Sequence, residues 1–509
     1  MKKFFKKLWR IITNRAFLIA LALFIQLALF ATAVVFLSFA SIAVYISFSV
    51  ISVIVCFFIV SKDDNPAYKL AWVVPILALP FFGGMMYIAL GRRNMRPKRK
   101  KRIRSLTKQG REKLKELSAN VRPTHERNAK LANFVEKSSD FPVFENSRVV
   151  YYEIGEKYAA ALVEELRKAE KFIFLEYFII DTGKFWDSVL EVLKEKAASG
   201  VDVRIIYDDV GCLFKLPSNY DKKLKAAGIK TSVFNRLVPS LDIRMNNRSH
   251  RKIAVVDGKV AFTGGINIAD EYINEISRFG HWKDTGICVY GAAVNSFTVM
   301  FLTFWAASEN KSDIDFEPYL VRDFPVLNYG KIQPLSGEPN SGQLLENSFI
   351  QIINNASRYV YINTPYLIPD NETYTALCLA AKSGVDVRIT MPHIPDKKTV
   401  FMMSRSFYPG LLKAGVKIYE YVPGFMHAKS FVCDDDVAYV GSCNMDYRSF
   451  YLHYECGALL YESECIADIK RDYLTTLKEC KPISYETATD VTMFTKIARS
   501  ILRVFAPLL

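Results

Sequence analysis

The chain repeats itself, and this repeat limits the possible folds more than any other feature of its 509 residues. Ser-Gly-Val-Asp-Val-Arg-Ile occurs twice, and two looser matches accompany it. The matching pairs are 199–205 with 383–389, 227–230 with 414–417, and 169–177 with 356–364. Glycine between a helical stretch and β-branched residues is typical of a helix-to-strand junction. We therefore predict an α/β fold in which two similar halves pack about a pseudo-two-fold axis, with an active site at their seam.

Each half also contains one copy of the pattern HxKx4Dx6G(G/S)xN. The first copy supplies His250, Lys252, Asp257 and Asn267, and the second supplies His427, Lys429, Asp434 and Asn444. Because residues two apart share one face of a strand, the histidine and lysine of each copy should point the same way. The two aspartates fall on the opposite face at a turn, where we expect a structural hydrogen-bonding role. The asparagines follow glycine turns, from which an amide can reach an anionic oxygen.

Two imidazoles, two ammonium groups and two amides meeting at one point predict a phosphodiester site. The predicted catalytic residues are those of the two HxKx4D motifs: His250, Lys252, Asp257, His427, Lys429 and Asp434. The lysines, with Asn267 and Asn444, would bind the phosphate oxygens. One histidine would attack phosphorus, and the other would protonate the departing alcohol and deprotonate the incoming one. This chemistry requires neither a metal nor a cofactor.

A histidine used in this way needs a carboxylate on its other nitrogen to fix the tautomer. Asp284, in His-Trp-Lys-Asp at 281–284, and Glu455, in His-Tyr-Glu at 453–455, are the candidates. Which carboxylate serves which histidine depends on the fold. Of the remaining histidines, His281 and His453 lie beside these carboxylates and are candidates for contact with substrate.

The first 104 residues carry the entire charge excess. They hold 17 Lys and Arg against two Asp, which leaves 50 basic and 50 acidic residues in the neutral remainder. A neutral body disfavours nucleic acid as a partner and favours an anionic membrane surface beside the basic segments. The uncharged run 17–60 is long enough for two membrane helices, and 70–90 is predicted to be re-entrant or interfacial. The basic flanks 2–15 and 92–104 both favour the cytoplasm, so we expect the body there.

The motifs and four further segments resemble bacterial cardiolipin synthases of the phospholipase D superfamily, across essentially the whole chain. These segments are Asn-Pro-Ala-Tyr-Lys-Leu-Ala-Trp (65–72), Glu-Tyr-Phe-Ile-Ile-Asp (176–181), Thr-Pro-Tyr-Leu-Ile-Pro-Asp (364–370) and Asp-Tyr-Arg-Ser-Phe (446–450). The resemblance implies condensation of two phosphatidylglycerols into cardiolipin with release of glycerol, at a bacterial plasma membrane. It implies His250 as the nucleophile and His427 as the acid, although the symmetry leaves the reverse open. The family commonly has asparagine in place of His453, a departure that bears on acceptor preference.

Five parts follow from these patterns, in chain order. They are a membrane anchor with two or three transmembrane or re-entrant segments (1–104), a helical linker (105–150), two phospholipase D-like halves (151–330 and 331–489) and an amphipathic helix (490–509). The apolar stripe of the last part suits either a membrane surface or the protein body. A homo-oligomer is compatible with the sequence.

The same core would also serve other classes of protein. A lipid hydrolase or a phosphatidylserine synthase shares these motifs, because water and alcohols resolve the same phospho-enzyme. A nuclease is disfavoured by the neutral body. A catalytically silent membrane scaffold is disfavoured because neither motif copy lacks a residue.

Overall fold

The computed structural model describes residues 42–79, 97–118, 121–237, 246–324, 329–339 and 342–508, with scattered positions between 21 and 36 and between 83 and 87. The chain divides into two compact units, and each is described by itself. One unit comprises 97–234 and 248–500, and the other comprises 1–96, 235–247 and 501–509.

The described residues form fourteen α-helices and nineteen β-strands. The helices are α1 (Ile42–Ser61), α2 (Pro66–Ala78), α3 (Pro97–Leu117), α4 (Glu126–Ser139), α5 (Gly155–Arg167), α6 (Lys184–Ala198), α7 (Tyr220–Ala226), α8 (Val294–Ser308), α9 (Leu344–Asn355), α10 (Asn371–Lys382), α11 (Lys398–Lys413), α12 (Cys465–Leu477), α13 (Tyr485–Thr489) and α14 (Met493–Phe505). The strands are β1 (Ser147–Tyr152), β2 (Phe172–Tyr177), β3 (Asp202–Asp208), β4 (Lys230–Phe234), β5 (Ile253–Val256), β6 (Val260–Gly264), β7 (His281–Lys283), β8 (Gly286–Gly291), β9 (Lys331–Gly337), β10 (Tyr359–Asn363), β11 (Leu367–Ile368), β12 (Asp386–Pro392), β13 (Lys417–Tyr421), β14 (Gly424–Met426), β15 (Ser430–Cys433), β16 (Val437–Gly441), β17 (Met445–Asp446), β18 (Glu455–Tyr461) and β19 (Cys480–Ile483).

The larger unit contains two mixed sheets of the same topology. The first has the order β1-β8-β6-β5-β2-β3-β4, and the second has β9-β18-β16-β15-β10-β12-β13 with β19 added at its edge. In each sheet three parallel strands are followed by antiparallel ones. Strand β2 is buried along its whole length, which explains its apolar run Phe-Ile-Phe-Leu at 172–175. The predicted α/β duplication is therefore present.

Glycine ends a helix at equivalent places in the two halves. Gly200 precedes β3 and Gly384 precedes β12, each with φ of 92°. This left-handed backbone suits a residue without a Cβ, so the chain can turn from helix to strand at once. The repeated Ser-Gly-Val-Asp-Val-Arg-Ile segment is this junction.

The two halves exchange short backbone segments at their seam. Strand β7 of the first half pairs in parallel with β14 of the second, and Ser249 forms a bridge with Tyr454. Two amide hydrogen bonds fix the ends of these segments: His427 N donates to Lys283 O at 2.7 Å, and His250 N donates to Tyr454 O at 2.9 Å. Each motif histidine is thus fastened to the opposite half by its own backbone.

The smaller unit contains α1 and α2, which pack through a cluster of apolar and aromatic side chains that includes Ile59 and Trp72. No helix formed by the described residues combines the length and apolarity that a membrane crossing requires. Most positions before residue 42 of the predicted two-helix run 17–60, and several positions of the predicted re-entrant stretch 70–90, lie outside the described residues.

Candidate active site

His250 is held by a carboxylate from the other half of the molecule. Its Nδ1 lies 2.9 and 3.0 Å from the two carboxylate oxygens of Glu455, the first residue of β18. Glu455 is fully buried and His250 is 8% exposed. A carboxylate at Nδ1 keeps the ring hydrogen on that nitrogen. Nε2 therefore retains the lone pair that a nucleophile requires.

His427 has the reciprocal arrangement with a carboxylate of the first half. Its Nδ1 lies 2.6 Å from Oδ2 of Asp284, and both residues are buried. Lys429 Nζ lies 2.8 Å from the same nitrogen and also donates to the carbonyl of His427. Because Nδ1 carries at most one hydrogen, we assign that hydrogen to the shorter contact with Asp284. The two candidate carboxylates therefore serve the histidines crosswise between the halves.

One difference between the motif copies follows from the lengths of these two carboxylate side chains. A Cβ added at Gly265 would lie 2.0 Å from Oδ1 of Asp284, so only glycine lets this carboxylate approach the backbone. Ser442 occupies the corresponding place in the second copy, and its hydroxyl donates to Oε2 of Glu455 at 2.5 Å. The longer glutamate leaves room for a side chain, which then supplies a hydrogen bond.

The two motif lysines are buried beside the histidines. Lys252 Nζ donates to the carbonyl of His250 at 2.7 Å. Burial lowers the pKa of Lys252 to about 8 and that of Lys429 to about 7. Burial also raises the pKa of Asp284 to about 6, against the opposing effect of Lys429. Burial, followed by the charges of the two lysines, holds the pKa of His250 and of His427 well below the usual range.

The structure does not bring Asp257 and Asp434 to this cluster. The carboxylate of Asp257 accepts hydrogen bonds of 2.8 Å from the backbone N–H groups of residues 170, 171 and 172. Asp434 accepts corresponding bonds from residues 357, 358 and 359, at 2.6 to 2.9 Å, and pairs with Arg127. Both have φ near 50°, a conformation that aspartate tolerates. Each ties a turn to the start of the neighbouring strand, so the catalytic part predicted for them has no support in their contacts.

Replacing Asp434 with asparagine is expected to lower the free energy of unfolding by about 3 kcal/mol. The variant removes one of the two carboxylate partners of Arg127, which keeps Asp436, and leaves the backbone N–H of residue 357 without an acceptor. Asp257→Asn, which has no arginine partner among the described contacts, should lower it by about 2 kcal/mol. Denaturant unfolding of the purified protein measures both. Unchanged stability with lost turnover would instead place these aspartates in the catalytic machinery.

The two motif asparagines differ in their contacts. Both polar atoms of the Asn267 amide form a hydrogen bond: Oδ1 accepts from Ile179 N at 3.0 Å, and Nδ2 donates to Tyr272 Oη at 2.7 Å. Asn444 Nδ2 donates to Asp446 at 3.2 Å, while its Oδ1 has no hydrogen-bond partner among the described residues. Each amide nitrogen retains a second hydrogen for a phosphate oxygen.

Aromatic side chains around the histidines were not identified from the sequence. The ring of Tyr272 lies 5.3 Å and that of Trp282 5.2 Å from the ring of His427. Phe178 lies 5.1 Å from His250, and His453 lies 5.5 Å from it. Phe178 lies within Glu-Tyr-Phe-Ile-Ile-Asp and Trp282 two residues before Asp284. Only their proximity in the sequence to the predicted site residues and segments indicated that these aromatic residues could lie at the site.

Two α/β halves of equal topology, which together supply paired histidines, lysines and crossed carboxylates, define the phospholipase D class of enzyme. A family model described as "Cardiolipin synthase, PLD-like domain" matches residues 162–278 and 349–476, and one described as "Phospholipase_D-nuclease N-terminal" matches 47–92. The chain is 36% identical to a cardiolipin synthase of a Geobacillus species, over 87% of this chain and 89% of that one. It therefore belongs to the cardiolipin synthase family.

Two further proteins are similar to this chain. An uncharacterized protein of Streptococcus mutans is 42% identical over 86% of this chain and 96% of its own length. The crystal structure of a phosphatidylserine synthase from Haemophilus influenzae covers 74% of this chain and 98% of its own, with a TM-score of 0.57 and 14% identity. At that identity the second similarity describes the fold alone.

Proposed function

We propose that the protein is a cardiolipin synthase that transfers a phosphatidyl group from one phosphatidylglycerol to another and releases glycerol, through a phospho-histidine intermediate. The observation that supports this most directly is the crossed pairing of His250 with Glu455 and of His427 with Asp284. It fixes the orientation and tautomer of two histidines at one site, where a two-step transfer requires a nucleophile and an acid.

In the first step, Nε2 of His250 attacks phosphorus and the bond from phosphorus to the glycerol oxygen breaks. His427 gives its proton to that oxygen, so glycerol leaves as an alcohol. Glu455 stabilises the positive charge that develops on His250. His427 is neutral in the free protein because burial lowers its pKa. The anionic phosphodiester favours its protonated form once the lipid is bound.

In the second step, the hydroxyl of another phosphatidylglycerol attacks the phosphorus of the phospho-histidine. His427, now neutral, takes the proton of that hydroxyl, and the N–P bond to His250 breaks. Asp284 holds the ring of His427 throughout and stabilises its charged form. Lys252 and Lys429 neutralise the non-bridging oxygens in both steps, with Asn267 and Asn444 as further donors.

A conversion assay in liposomes tests this function. The purified protein in phosphatidylglycerol vesicles should produce cardiolipin and glycerol in equal amounts. Phosphatidic acid as the main product would show that the protein is a hydrolase and not a transferase. If another alcohol such as serine were consumed instead, the proposed acceptor would be wrong, whereas the proposed two-step mechanism would still apply.

The value of kcat/KM for phosphatidylglycerol is expected to be bell-shaped in pH. Asp284 must be ionised, so activity falls as the pH drops through about 6. The lysines must be charged, so activity falls as the pH rises through about 7 to 8. Arginine stays charged at these pH values, so Lys429→Arg should move the alkaline limb upward even if its rate is lower. A limb that keeps its position in both Lys429→Arg and Lys252→Arg would contradict this assignment.

We further propose that the protein is a multi-pass protein of the bacterial plasma membrane, with its catalytic halves (151–330 and 331–489) on the cytoplasmic side. The support is the uncharged run 17–60 and the basic residues of 92–104. Helix α14 presents a further apolar surface for membrane contact. On this face, Met493, Phe494 and Ile497 are 72%, 80% and 48% exposed. Lys496 lies on another side of the helix. Such a helix suits the interface of an anionic membrane.

A nitroxide label at Phe494→Cys should enter the acyl region of phosphatidylglycerol proteoliposomes. The label is placed in the exposed apolar face of α14, whereas a matched label at Lys496→Cys is placed outside that face. Electron paramagnetic resonance with a water-soluble relaxation agent measures the exposure of each label. Equal, high exposure of both labels would contradict the membrane contact of this helix.

A further inference from the structure

His453 is a buried residue of the active site whose two ring nitrogens have no hydrogen-bond partner among the described residues. Both ring nitrogens are buried and make no hydrogen bond with any described residue. Nδ1 lies 3.7 Å from Oε1 of Glu455, too far for a hydrogen bond. The ring lies 5.5 Å from that of His250 and 6.5 Å from that of Phe178. A polar ring in this position is expected to have a ligand, because buried polar groups are rarely left unsatisfied.

The backbone holds this ring beside His250. The N–H of His453 donates to Arg448 O at 3.0 Å, at the end of a π-helical turn. The next residue, Tyr454, donates to Arg248 O and accepts from His250 N. The two histidines therefore belong to one bridged pair of segments, which fixes the backbone of His453 beside that of His250.

Its protonation state defines what it can bind. Burial lowers the pKa of His453 to about 3, against the opposing effect of Glu455. A neutral imidazole offers one N–H donor and one acceptor nitrogen. An ionised phosphodiester has only acceptors, and Lys252 and Lys429 already supply donors for it. A hydroxyl group is both donor and acceptor, so it matches His453.

A metal ion is the competing ligand. Ligand atoms of His250, His453 and Glu455 lie within 4.8 Å of one another. However, the charges of Lys252 and Lys429 already act on His250, and they would repel a divalent cation at the same place. The chemistry around the ring therefore favours an uncharged hydroxyl.

We propose that His453 binds a free hydroxyl of the glycerol headgroup and thereby selects phosphatidylglycerol as substrate. This inference rests on the proposed function for the identity of the lipid. Nδ1 would close the 3.7 Å gap and donate to Glu455, which leaves Nε2 to accept from the hydroxyl. His453 is then a specificity-determining residue beside the reacting histidine.

The experiment compares two donors, phosphatidylglycerol and phosphatidylpropanol, which lacks both free hydroxyls of the headgroup. Both are present in the same vesicles, so that phosphatidylglycerol is the acceptor for either donor. His453→Phe retains a ring without polar atoms and should lower kcat/KM for phosphatidylglycerol about tenfold, with little change for phosphatidylpropanol. His453→Asn retains one donor and one acceptor and should keep part of the preference. His125→Phe, at an exposed histidine of the linker region, is the control and should change neither.

Two results would overturn the proposal. An unchanged ratio of the kcat/KM values for the two donors, whether both values fall equally or neither falls, would show that His453 does not recognise the headgroup. Inhibition of the parent by micromolar Zn²⁺ that His453→Phe abolishes would identify a metal site instead. The readout is the alcohol that leaves each donor, glycerol or propanol, so the preference is measured whether alcohol or water completes the reaction. A failure of the proposed function would appear separately, as absence of cardiolipin with the parent protein.

Discussion

Replacing His250 with alanine is expected to abolish formation of the phospho-enzyme, whereas replacing His427 is expected to trap it. The distinction appears with a phosphatidyl ester of p-nitrophenol, because nitrophenolate leaves without being protonated. His427→Ala should release one equivalent of nitrophenol in a burst and then stall, since no base activates the acceptor alcohol. His250→Ala should show no burst and lose about 10⁴-fold or more in turnover.

The trapped intermediate makes this result specific. Phosphoramidates are labile in acid and stable in alkali, and mass spectrometry locates the modified peptide. We expect the phosphatidyl group on His250 in the His427→Ala protein. His125→Ala, at an exposed histidine, should behave like the parent. A burst from His250→Ala with modification of His427 would reverse the roles, and absence of any adduct would indicate direct displacement.

Phosphatidylglycerol itself should show a different pattern. Glycerol is a poor leaving group without a proton, so His427→Ala should slow the first step by about 10² to 10⁴-fold. Both alanine variants would then be inactive in the lipid assay alone. Only the nitrophenyl ester separates the nucleophile from the acid, since its chemistry bypasses the proton donor.

The sequence predicted the architecture well because the relevant signals are local and repeated. A glycine before β3 and another before β12 identify equivalent junctions, and the two motif copies locate β5 and β15. Asp284 and Glu455 were also identifiable, as the carboxylates of His-Trp-Lys-Asp and His-Tyr-Glu downstream of each motif. These features depend on the spacing of residues within one half of the chain, and that spacing can be read directly from the sequence.

The pairing of the carboxylates was not predictable, because it depends on contacts between the halves. Glu455 is 205 residues from His250, and Asp284 is 143 residues from His427. Their meeting follows from the pairing of β7 with β14 and of Ser249 with Tyr454. Nothing in either motif encodes those contacts. For the same reason the aromatic residues around the histidines, and the two open nitrogens of His453, appeared only in three dimensions.

The crossed pairing predicts that Glu455→Gln and Asp284→Asn impair different steps. Glutamine cannot stabilise the positive charge on His250, so Glu455→Gln should slow the nitrophenol burst by about 10² to 10³-fold. Asp284 acts through His427, which the nitrophenyl ester does not need for its first step. Asp284→Asn should therefore leave the burst near its parental rate and slow only the turnover that follows.

Each variant is its partner's matched control, because both remove one buried negative charge from the same site. A further comparison uses double variants. In a protein that already lacks His427, Asp284→Asn should cost nothing more, whereas Glu455→Gln should still suppress the burst. Pairing within each half would give the opposite result: Asp284→Asn would suppress the burst and Glu455→Gln would spare it. The burst kinetics thus test whether each half of the protein supplies the carboxylate that the histidine of the other half requires.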